Sequence, residues 1–183
     1  MVRRWSGVIL ALCVAGAADR PLAQDPLKAD AASMDHKLSV IASRGAESPG
    51  KVLPPLRTSF TEREVNAYFK VNGHDFLPSG IADPELKIDA GGRVSAKANV
   101  TVLLGAALPV TASGKLQTSN GMGVLSLDSA TLGGVPVSAS HVQQLIDAFS
   151  KPGSGGFRLD KPFQLPDNIR SVETQPGAAT VVQ

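Results

Sequence analysis

Thiols are almost missing from this chain. Its 183 residues contain one cysteine, Cys13, which stands inside an N-terminal apolar run from Trp5 to Ala18. A single cysteine excludes an internal disulfide and a cysteine-built metal centre. Aromatics are scarce at 4%, so a core must be made from Val, Leu, Ile and Ala. Excess charge is missing too: 18 Lys+Arg face 16 Asp+Glu, and two of those cations, Arg3 and Arg4, precede the apolar run. The rest of the chain is balanced, which leaves no basic footprint for nucleic acid. The three histidines, His36, His74 and His141, have no metal-ligand spacing, and no cofactor motif is found. The apolar fraction of 43% is that of an ordinary globular protein.

The beginning of the chain reads as a secretory signal peptide. Met1-Val2-Arg3-Arg4 is a short basic segment, the apolar run follows, and Ala15, Gly16, Ala17 and Ala18 supply small residues near its end. The run is short for a membrane span, although an uncleaved anchor is the competing reading. Cleavage after Ala17, Ala18 or Ala23 fits the pattern. Leu12 before Cys13 argues against a lipoprotein signal, which wants a small residue there. The expected location is therefore the periplasm, where a mature chain without thiols is unremarkable. The expected organisation is a signal peptide over 1–18, an N-terminal helix and Pro-rich connector over 19–58, and one α+β domain over 59–183.

Hydropathy patterning gives the elements. Leu27, Ala31, Met34, Leu38 and Ile41 recur in steps of four and three, one narrow apolar stripe on a helix. Thr61 and Glu64 form a capping box for a second helix over about 59–70, which Gly73 stops. The clearest strand runs from Val94 to Leu104, with apolar residues at every even position. Gly91-Gly92 and Asn120-Gly121 are hairpin turns between alternating runs. The phase slips between Leu127 and Ala130, which predicts a bulge. Val142, Leu145, Ile146 and Phe149 mark a third, amphipathic helix capped by Ser140 with Gln143, and residues 169–182 read as a last hairpin. The predicted fold is α+β: a curved antiparallel meander of about five or six strands packed against two or three helices.

No residue set carries a reaction. His74-Asp75 is the only histidine followed directly by an acid, and it lacks a nucleophile beside it in sequence. Glu62 and Glu64 are explained by the helix cap and dipole. Asn66 and Tyr68 are polar positions of the second helix that a ligand could meet. Ser154 lies in a glycine-rich loop, but Pro152 stands where a nucleophile elbow needs its first glycine. The chain is expected not to be an enzyme.

The helix opening Thr61-Glu62-Arg63-Glu64-Val65-Asn66-Ala67-Tyr68 is followed by Gly133-Gly134-Val135-Pro136-Val137-Ser138 and by Phe163-Gln164-Leu165-Pro166-Asp167-Asn168-Ile169. Together with the leader, this pattern resembles small secreted bacterial proteins. More distantly it resembles tubular lipid-binding (TULIP-like) envelope proteins, over roughly Ser59 to residue 183. The resemblance implies a curved sheet that wraps a helix and cradles acyl chains, with no functional residue assigned position by position. On the residues themselves, the small inward positions Ala96, Ala98, Ala112 and Gly114 leave room against the sheet. The expected apolar-ligand lining is Val65, Phe69, Ala96, Ala98, Val100, Val110, Ala112, Leu145 and Phe149. The alternative function is an accessory envelope protein with a solid core, acting through peripheral membrane or protein contacts.

Overall fold

The computed structural model describes residues 25–46, 54–101, 105–149 and 158–183, with the side chains of Ala148 and Phe149 excepted. The predicted leader, part of the Pro-rich connector, the last positions of the strand ending at Leu104 and the glycine-rich loop around Ser154 lie outside these residues.

The narrow stripe does form a helix, α1 (Pro26–Ala46), and it docks: Ala31 and Ile41 are buried. After it comes a strand that the sequence did not announce, β1 (Arg57–Thr61). Thr61 ends this strand and caps α2 (Glu62–Phe76), accepting from the Glu64 amide while the Glu64 carboxylate accepts from the Thr61 amide. Gly73 is not the stop. The helix runs one turn further, and the Gly73 carbonyl accepts the Leu77 amide at its end.

A meander follows: β2 (Ile81–Ile88), β3 (Arg93–Thr101), β4 (Ala107–Ser119), β5 (Met122–Leu132) and the two-residue β6 (Val135–Pro136). These pair in sequence order, all antiparallel, and β7 (Phe163–Gln164) adds to the other end of β5. The Asn120-Gly121 turn joins Ser119 to Met122 with both central residues at positive φ, as a tight hairpin of this kind requires. The predicted slip is a bulge: Ser113 faces Ser129 and Gly114 faces Leu127, so Asp128 is the extra residue. Gly114 is needed there, because a Cβ would strike the Ser126 carbonyl oxygen.

Beyond β6 lies α3 (Ala139–Phe149), and the chain closes with the hairpin β8 (Ser171–Gln175) and β9 (Ala178–Val182). β9 also pairs with β1, making a separate three-stranded sheet in the order β1-β9-β8. The fold is thus α+β, and the described residues form a six-stranded antiparallel sheet, a three-stranded sheet and three α-helices.

The buried core sits between α1, α2 and the small sheet. Ile41, Phe60, Val65 and Val181 form its centre, and Met34, Leu38, Phe69, Leu86, Ile169 and Val172 pack around them. Asn66 and Glu62 tie α2 to the edge of the large sheet. The Asn66 carboxamide donates to the Leu86 carbonyl and accepts the Leu86 amide, and the Glu62 carboxylate accepts the Ile88 amide. On the other side Thr118 of β4 hydrogen-bonds both backbone groups of Val172 in β8. These side chains and isolated backbone bonds, such as the Gly177 amide donating to the Ile88 carbonyl, join the two sheets without a continuous ladder.

Among the described residues, the helices meet the large sheet near its two sides, and β8 meets it at β4. Leu86, Ala96, Ala112 and Ala130 stand in one register row, and their neighbours Ala98, Val110 and Leu132 form the next row on the same face. α2 meets this sheet at β2 and α3 meets it at β5. Between them Ala96 is exposed, and Ala98, Val110 and Ala112 are half-buried.

Candidate apolar-ligand groove

The groove is built where β5 turns into α3. Gly133 and Gly134, both at positive φ, reverse the chain so that Val135 returns opposite Leu132 and Pro136 opposite Thr131. The Val137 amide donates to the Ala130 carbonyl and fixes the exit. Ser138, two residues earlier than the cap expected at Ser140, then starts α3: its Oγ accepts the His141 amide at 3.4 Å and lies 2.8 Å from His141 Nδ1 and from Ser140 Oγ. Gln143 does not complete a box. Its carboxamide accepts the Leu159 amide at 2.8 Å and ties α3 to the segment that leads to β7.

α3 carries the expected apolar face, yet no described side chain on it is buried; Val142, Leu145 and Ile146 are half-covered. A pocket of about 400 Å³ lies beside it, lined by Leu132, Pro136, Val137, Ser138, His141, Gln144 and Leu145. That volume falls within the range of small-molecule pockets, roughly 300–1,000 Å³. The described lining is mostly aliphatic, with a hydroxyl, an imidazole and a carboxamide, and no Lys, Arg, Asp or Glu stands among these residues. The Ser138 and His141 contact has the atoms of a nucleophile and a base. Ser138 Oγ is already used in capping α3, however, so the geometry reads as a cap.

The structure distributes the expected lining residues over three places. Val65 is buried in the central core and Phe69 packs against it. Ala96, Ala98, Val100, Val110 and Ala112 share the apolar face of the large sheet. Leu145 alone among them lines the pocket, and Val110 stands next to it in the sheet, directly opposite Leu132. The side chain of Phe149 lies outside the described residues. Leu132, Pro136, Val137, Ser138, His141 and Gln144 are not among the expected lining residues. Their signal is the Gly-Gly turn followed at once by a capped amphipathic helix, which brings the helix back over the strand it has just left.

The other polar candidates have structural settings. His74 and Asp75 contact each other at 3.1 Å in the last turn of α2, with both side chains more than two-thirds exposed. Glu64 is buried and accepts from Ser33 Oγ and Lys37 Nζ of α1, each at 2.6 Å, and from Thr61. Burial works to raise its carboxyl pKa, but the Lys37 ammonium, the Ser33 hydroxyl and Thr61 together lower it from 4.5 to about 2. Asn66, a position where a ligand was conceivable, is occupied with the β2 backbone. Among the described residues, no three His, Cys, Asp or Glu side chains gather as a metal site.

Comparison of the chain with models of protein families, with curated proteins and with solved structures found no match.

Proposed function

We propose that this chain is an exported, periplasmic protein that binds a lipid or other apolar ligand without chemical conversion. The observation that carries this reading is the aliphatic groove of about 400 Å³ between Leu132 and Leu145. It sits beside an amphipathic helix whose described apolar side chains are at most half-buried, and a ligand would cover more of that face. The leader pattern supports export. No helix among the described residues is long and apolar enough to cross a membrane.

Native mass spectrometry of the protein recovered from its own cell envelope tests the reading. A stoichiometric bound lipid or apolar metabolite, lost in a Leu145→Arg variant that remains folded, is the expected result. A ligand-free mass, with no uptake on incubation with envelope lipid extract, would count against it. That outcome would favour the accessory protein acting through protein contacts.

A further inference from the structure

We propose that the groove takes a neutral amphiphile with a single chain, its polar end at Ser138, His141 and Gln144 and its apolar end on Leu132, Val137 and Leu145. This rests on the reading of the groove as a ligand site. Ser138, His141 and Gln144 follow one another at steps of three, which places them along one side of the start of α3. Beside the Ser138 hydroxyl that caps the helix, His141 and Gln144 offer an imidazole and a carboxamide, groups that suit hydroxyls and ester carbonyls. None of the described lining residues carries a fixed charge. A carboxylate or phosphate entering it would give up water without meeting a counter-charge, whereas a glyceride or alcohol head would exchange one set of hydrogen bonds for another. A space of about 400 Å³ accommodates a small head with part of one chain. The far end need not be closed, because Leu132 faces Val110 and Val110 faces Ala98 along the half-buried face of the sheet.

The test uses protein expressed from its full sequence. It is loaded with Nile red, a neutral apolar dye, which is then displaced by monopalmitoylglycerol, palmitate or hexadecane. Monopalmitoylglycerol should displace the dye at the lowest concentration. Gln144→Leu and His141→Leu, which leave the Ser138 cap hydroxyl in place, should each weaken it about fivefold, the effect of one lost hydrogen bond. Hexadecane should be unaffected by either change. Palmitate competing as well as the glyceride, or both variants without effect, overturns the head-group assignment while dye binding preserves the apolar-ligand reading. Failure to take up dye, or uptake that Leu145→Arg does not reduce, overturns both. Matching circular dichroism spectra establish that the variants remain folded.

Discussion

Asn66 behaves as a piece of backbone toward Leu86. Its side-chain nitrogen lies 2.8 Å from the Leu86 carbonyl and its side-chain oxygen accepts the Leu86 amide at 2.7 Å, so one carboxamide satisfies both groups on the open edge of β2. Asn66→Ala leaves that amide and carbonyl unpaired in a half-buried position, with an expected loss of about 1–3 kcal/mol. Asn66→Asp keeps the acceptor but replaces the donor with a carboxylate facing a carbonyl, and should be no better than alanine. Urea denaturation measures both, and hydrogen exchange at the Leu86 amide should accelerate. An alanine variant of unchanged stability would show that water replaces the carboxamide without loss.

Glu64 makes stability depend on acid. Its carboxyl pKa is lowered in the folded chain to about 2 from 4.5. Its contribution is therefore complete above the unfolded value and disappears as pH falls through the folded one. Two and a half units correspond to roughly 3 kcal/mol. Denaturation midpoints measured at several values between pH 6 and pH 2 should fall over that window, and Glu64→Gln should flatten this part of the profile. If the glutamine variant keeps the same slope, other carboxylates govern the acid transition.

The bulge at Asp128 makes Gly114 indispensable. Gly114→Ala sets a methyl group against the Ser126 carbonyl of the adjoining strand, and backbone cannot yield as a side-chain end can. The expected cost is roughly 1–3 kcal/mol, seen as a lower thermal midpoint. Deleting Asp128 as well should relieve part of this by restoring an unbulged ladder. A double variant no more stable than Gly114→Ala alone would contradict that account.

Ser138 holds the start of α3 and so one wall of the groove. Ser138→Ala should cost about 1 kcal/mol or less, whereas Ser138→Asp, another good cap, should cost little. Because α3 has few buried contacts, the change should appear first as faster amide exchange within the helix and only weakly in global unfolding. Equal effects from alanine and aspartate would show that the hydroxyl acts on its neighbours rather than as a cap.

Where one periodicity held over many residues, the architecture could be read directly. The alternation from Val94 onward is β3, the Asn120-Gly121 turn is a two-residue hairpin, and the interrupted phase after Leu127 is the bulge. The Thr61 and Glu64 box is present atom for atom. What escaped depends on partners distant in the chain. β1 is five residues of mixed polarity whose only described strand partner is β9, more than a hundred residues later. Gly73 continues α2 because the Tyr68, Phe69 and Phe76 rings meet across the last turns, with centroids 5.5 and 6.1 Å apart, outweighing a weak helix former. For the groove, the helical stripe pointed to Leu145, while its opposite wall depended on where two glycines would aim the chain.

The pairing of β1 with β9 also governs when this protein can finish folding. Phe60 is buried beside Val181, and the sheet under both needs residues 57–61 and 178–182 together. The meander from β2 to β5 joins neighbours in sequence and can form while synthesis is under way. The core next to α1 and α2 has to wait for residues 178–182, more than a hundred positions after β1, and closing so long a loop is slow as well as late.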